Sequence, residues 1–126
     1  MRQVIPTPGA PKPNGQYSPA VRSGNLLYIA GQLGQIPETG AFVKGGVEAE
    51  TKQVFANLKA ILNDAGLTFD NVIKCNSYVL DIANLPIVNK FYIEHFPENP
   101  PARTSLQVAA IPHGGLVEIE LIAAFE

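Results

Sequence analysis

The chain has 126 residues, 46% of them hydrophobic, and a formal net charge of −2 at pH 7, which is apolar material enough for one domain with its own core over residues 1–126. Its 9 Lys and Arg against 11 Asp and Glu form no basic cluster, so the electrostatic footprint of a nucleic-acid or anionic-membrane partner is missing. The single cysteine, Cys75, has no disulfide partner, and no apolar run reaches signal-peptide length or the ~20 residues of a membrane span; a soluble cytoplasmic protein is expected.

Residues 1–16 carry four prolines and two glycines and read as an extended lead-in. "YSPAVRSGNLLYIAGQLG" gives two β-rich runs joined by Ser23-Gly24-Asn25, a hairpin signature, with Pro19 at a strand start. Ala41 to Lys44 is a candidate short strand between glycine turns. From Val47 to Ala65 the residues Val47, Val54, Leu58, Ile61 and Ala65, with Phe55 and Leu62 alongside, recur at three- and four-residue steps. That spacing predicts an amphipathic helix, closed by Gly66.

"NVIKCNSYVLDI" predicts a strand with Ile73, Cys75 and Val79 on one face and Lys74, Asn76 and Tyr78 on the other. A second helix is expected from an Asn84 N-cap, through Pro86 in its first turn, to Phe96. "ARTSLQVAA", a Pro-His-Gly-Gly turn and "LVEIELIAAF" follow as two further strands. The order predicts an α+β fold with two helices on one face of a mixed sheet. The last strand puts Val117, Ile119, Leu121, Ala123 and Phe125 on one face and the half-polar set Glu118, Glu120, Ile122 and Ala124 on the other. That second face predicts burial by another subunit.

Arg103 follows two prolines and shares a strand face with Ser105 and Gln107, while Ala102, Thr104, Leu106 and Val108 are taken as the core face. Its planar fork suits a carboxylate; an intersubunit salt bridge explains it equally well. Glu118 and Glu120 lie on one strand face, where a buried carboxylate needs a partner or a raised pKa; solvated or ion-paired residues are the simpler account. If residues 109–117 formed a plain hairpin, Glu118 would lie about 17 Å from Arg103, so the two could meet only across a subunit boundary or through another strand order. Asn89 falls on an apolar helical stripe, where a structural role is the commoner one, and Tyr17 is a hydroxyl for a site or an aromatic cover for the core. His95 and His113 lack metal-ligand spacing, and phosphate-loop, dinucleotide and serine-hydrolase motifs are absent.

"GQYSPAV", "YIAGQLG", "VFANLKAILNDAGL", "VIKCNSYVLDI", "VNKFYIEHF", "PPARTSLQVAAIP" and "VEIELIA" together resemble the reactive-intermediate deaminase family, the Rid or YjgF-like proteins, from about Gly15 to Phe125. The resemblance implies a chorismate-mutase-like fold, a homotrimer, and a small-molecule site between subunits. It also implies cofactor-free and metal-free hydrolysis of 2-enamine and 2-imine acids such as 2-aminoacrylate to 2-keto acids and ammonia. By motif, Arg103 would clamp the substrate carboxylate, Glu118 would orient or activate water, Tyr17, Asn89 and Ser105 would line the site, and Gly31 would let substrate approach the backbone. Ala30, Ser105, Gln16 and Pro19 depart from the family pattern and bear on substrate preference. A non-catalytic carboxylate binder or chaperone-like protein is the alternative, and the ribonuclease role given to some relatives finds no basic stripe to support it.

Overall fold

In the computed structural model, which describes residues 1–126, a six-stranded sheet carries two α-helices. Its elements are β1 (Gln3–Val4), β2 (Ala20–Ser23), β3 (Leu26–Gln32), α1 (Gly46–Asp64), β4 (Val72–Val79), α2 (Leu85–His95), β5 (Ala102–Gln107) and β6 (Val117–Ala124). The strand order is β1-β2-β3-β6-β4-β5. All neighbours run antiparallel except β4 and β5, a parallel pair joined through α2 as a crossover requires.

Local signals set most of these elements. Gly24 takes φ +61 at the first position of the two-residue turn between Ser23 and Leu26, which are register partners, and a positive φ there matches the twist of the flanking strands. Val54, Phe55, Leu58, Ile61 and Leu62 form the stripe of α1 that enters the core, each at most 1% exposed. The helix ends at Gly66, whose φ of +79 only glycine adopts freely. Pro86 lies in the first turn of α2; Asn84 sits at its N-cap position without a side-chain bond, and Asp81 instead accepts from the Ala83 amide in the short turn before it.

Four expectations are corrected. Residues 41–44 form no strand; a single bridge pairs Gln35 with Phe42. The lead-in contains β1 and buries Ala10. In β4 the pairing with β6 slips between Val72 and Lys74, so Ile73 turns outward and the inward set is Val72, Cys75, Ser77 and Val79. Finally, β5 does not bury its apolar alternates. It is the edge strand, its register sets Arg103 opposite the buried Cys75 and Leu106 opposite Tyr78, and Leu106 is exposed. Arg103 and Ser105 therefore face the helices, while Ala102, Thr104 and Leu106 face away, because residues directly paired across a sheet share a face.

The core lies between the helices and the inner face of β3, β4 and β6. The outer face carries Val21, Tyr28, Ile122 and Leu106 together with Asn76, Tyr78, Glu118 and Glu120. Tyr28 and Leu106 leave nearly half their area in solvent.

Candidate active site

The sheet holds two groups of the expected residues on opposite faces. On the outer face, β3 carries one extra residue against β6: Ile29 pairs with Leu121 and Gln32 with Ile119, leaving Ala30 and Gly31 against Glu120 alone. Such a bulge bends the strand, and the Glu118 side chain lies over the hollow at Gly31. A Cβ on Gly31 would meet Glu118 Cδ at 2.9 Å and Cγ at 3.0 Å. The missing side chain thus accommodates the glutamate, where the sequence pointed to close approach of a substrate.

Tyr17, Gly31 and Glu118 line one cavity of about 370 Å³ together with Lys12, Gln32 and His113, within the range of small-molecule sites. Tyr17 is 49% exposed, so it borders this cavity and does not cover the core. Burial pushes the Glu118 carboxyl above the usual glutamate value, and the charge of Glu120 adds to the rise. Glu120 accepts hydrogen bonds from Asn76 Nδ2 at 2.9 Å and the Tyr78 hydroxyl at 3.2 Å. Burial first, and Glu120 second, push the Tyr78 hydroxyl up as well.

On the helix face, Arg103 donates from Nη1 to Asn89 Oδ1 at 2.7 Å, and its guanidinium carbon sits 4.1 Å from the centre of the Tyr92 ring. Its Nε and Nη2 atoms are buried and have no partner. These two N–H groups point along one edge of the fork, the edge that grips a carboxylate bidentately. Ser105 follows on the same face, paired with Ser77. The thiol of Cys75, beneath Arg103, is pushed up chiefly by burial.

Arg103, Asn89 and Ser105 thus form one group, and Tyr17, Gly31 and Glu118 another. Within one chain the groups do not meet. Arg103 stands level with Cys75 and Glu118 level with Tyr78, two strands and three residues apart, about 14 Å between Cα atoms at standard spacings. The insertion of β4 between β5 and β6 replaces the plain hairpin. Of the histidines, His95 stacks on Phe55 at 4.5 Å between ring centres and meets Phe69 at 4.7 Å, whereas His113 borders the cavity. No three His, Cys, Asp or Glu side chains come together in a metal-ligand cluster.

The reading by motif missed the residues that hold the cavity wall. Asn57, 1% exposed, donates to the carbonyls of Leu33 at 3.1 Å and Gln35 at 2.9 Å. Glu50, 6% exposed, accepts from the Leu116 amide at 2.9 Å, just before β6 begins. A signal was available: Glu50, Val54, Asn57 and Ile61 share the inward stripe of α1, and polar groups on such a stripe must find partners. Lys12 and His113 gave no periodic signal, because both lie in loops.

Comparison with known proteins agrees with this architecture. Residues 7–125 match the family described as Endoribonuclease L-PSP. A RutC family protein of Pyrococcus horikoshii is 46% identical over 123 residues, covering 98% of each chain. The 2-iminobutanoate/2-iminopropanoate deaminase of Bos taurus is 46% identical over 98% of this chain and 90% of its own length. The crystal structure of RidA from an Antarctic Psychrobacter superposes with a TM-score of 0.93 at 43% identity, covering 98% of this chain and 99% of the other. With a mixed six-stranded sheet, two helices and similarity along nearly its whole length, the chain belongs to the Endoribonuclease L-PSP family, the Rid proteins.

Proposed function

We propose that the protein is a cofactor-independent deaminase that hydrolyses 2-imino acids, and the 2-enamino acids that tautomerise to them, to 2-keto acids and ammonia. The observation that carries this reading is the Arg103 fork: anchored by Asn89 and Tyr92, it keeps the Nε and Nη2 edge buried and unpartnered. A buried donor pair left unpaired costs stability, and a carboxylate has the geometry to pair with it. The name of the bovine relative, a 2-iminobutanoate/2-iminopropanoate deaminase, agrees with that ligand chemistry.

In the proposed reaction Arg103 holds the substrate carboxylate, with Asn89 and Ser105 beside it. Glu118 takes a proton from water as the water oxygen bonds to C2 of the protonated imine. The C=N electron pair moves to nitrogen, giving a neutral carbinolamine. Glu118 then returns its proton to the amino nitrogen; the C–N bond breaks, the C=O bond forms, and the hydroxyl proton passes to the departing ammonia. Ammonium and the keto acid leave, and Glu118 is again ionised. A carboxyl raised by burial is the stronger base, and positioned acid–base help typically contributes ~10²–10⁴-fold. Tyr17 borders the cavity and supplies a hydroxyl to the reacting group.

Because the two groups occupy opposite sheet faces, the site needs two chains, with Arg103 from one protomer and Glu118 from its neighbour in a homotrimer. The exposed apolar rows of the outer face, with Tyr28 and Leu106, support burial against a second copy. We place this single-domain protein in the cytoplasm, where Cys75 would stay reduced. The test is complementation. Arg103→Ala and Glu118→Gln proteins, each inactive alone, are unfolded together, refolded and assayed for imine decay. Random mixing of chains restores about a quarter of the sites if each spans two protomers. No recovery, with mixed trimers shown by mass spectrometry, would overturn the shared site; wild-type protein that accelerates no imine would overturn the deaminase.

A further inference from the structure

The cavity beside Glu118 is lined by side chains that the proposed hydrolysis of small imines does not use. At about 370 Å³ it lies within the size range of small-molecule sites. Lys12, Asn14 and His113 line the same space. Unlike Gln32 and Gln35, whose amide nitrogens are donated to the carbonyls of Ala30 and Gly40, these three side chains make no hydrogen bond within the chain. Lys12 also has no acidic partner, since the one ion pair joins Lys90 to Glu48.

The backbone shortly before Lys12 and at His113 is constrained. Just before Lys12, Ala10 is buried and the Gly9 amide reaches Asp64 Oδ2 at 3.4 Å. His113 adopts φ 59 and ψ 21, a left-handed conformation that costs a residue with a Cβ about 1–2 kcal/mol. Gly115, two residues on, packs so closely that a Cβ would meet Ile111 Cγ2 at 2.9 Å. Glu118 is the only acidic residue among the lining side chains, so apart from it the lining offers donors and one lysine ammonium.

We infer that these side chains receive a second anionic group, and that the preferred substrates are 2-iminodicarboxylates, whose distal carboxylate is taken by Lys12, Asn14 and His113 while Arg103 of the neighbouring protomer takes the first. The inference rests on the deaminase reading for the chemistry at C2, but not for the recognition of the second carboxylate. Two measurements separate them.

In the first, imines are generated from the parent amino acids by an amino-acid oxidase, and surviving imine is trapped as its semicarbazone. The ratio of kcat/KM for 2-iminoglutarate to that for 2-iminopropanoate is expected to exceed unity. It falls about five- to tenfold in Lys12→Met/His113→Gln, as loss of two partly exposed charge-assisted contacts implies. In the second, calorimetry compares the stable keto acids 2-oxoglutarate and 2-oxobutanoate. Tighter binding of 2-oxoglutarate by wild type, with that margin lost in the double variant, supports the inference even if no imine is turned over. Equal affinity for the two keto acids, or a margin that survives both substitutions, overturns it. Lys12→Met alone, at an exposed position, gives the same reading should the double variant fold poorly.

Discussion

Gly31→Ala separates the working position of Glu118 from the stability of the fold. Gly31 does not need a left-handed backbone, so alanine acts only through its added methyl. That methyl would lie 2.9 Å from Glu118 Cδ and 3.0 Å from Cγ, closer than real Cβ contacts, so the glutamate must swing out of the hollow. Glu118 is half-buried and has room to move, and an off-rotamer side chain costs about 0.5–1.5 kcal/mol. The melting temperature should therefore fall by no more than about 9 °C. Turnover should fall much further, by about 100-fold, the lower end of what positioned acid–base help supplies. Imine decay measures the second effect and circular dichroism the first. On a Glu118→Gln background the same substitution should cost almost nothing more, since the two changes remove one interaction. Gly31→Ala protein with kcat within about twofold of wild type would refute the assignment of the Gly31 hollow as the place from which Glu118 works.

Arg103→Ala should weaken 2-keto acid binding by about 10- to 100-fold, matching ~1.5–3 kcal/mol for a charge-assisted pair, and Asn89→Ala, which removes the 2.7 Å anchor of Nη1, should cost less; titration calorimetry distinguishes them. Because burial and then Glu120 raise the Glu118 pKa above its ordinary value of 4.5, folding favours the protonated form. That contribution is complete below about pH 4.5 and is lost as pH rises through the raised value. Glu118→Gln should therefore melt higher than wild type at pH 7, with the gap closing as pH falls toward 4.5. The acid limb of wild-type kcat/KM should lie above that value, and Glu120→Gln should move it down. Asn57→Ala strands the carbonyls of Leu33 and Gln35 and should cost about 2–6 kcal/mol in urea unfolding, since each unsatisfied buried group costs ~1–3. Leu106→Glu, at an exposed apolar position of the outer face, should turn the proposed homotrimer into monomers in sedimentation and abolish turnover.

The helices, the hairpin and the alternation of β6 were legible because each depends on residues close in sequence. A stripe at steps of three and four, a glycine beyond its end, and Gly24 in a two-residue turn act locally. The motif residues were legible as a set, through resemblance, but not as a place. Alternation in β5 says that Arg103 and Leu106 point to opposite sides; it does not say which side is inward. That depends on β4 pairing with β5 in parallel and with β6 antiparallel, a choice between segments far apart in the chain. The bulge that turns Ile73 outward, and the one that opens the hollow at Gly31, are likewise properties of pairing. The sequence alone therefore determined the helices, the hairpin and the alternation of β6, since local backbone preference suffices for those, and through resemblance it named the candidate site residues. Only the tertiary structure decided that Arg103 and Glu118 stand on opposite faces, because face and strand order are settled by nonlocal hydrogen bonding and burial.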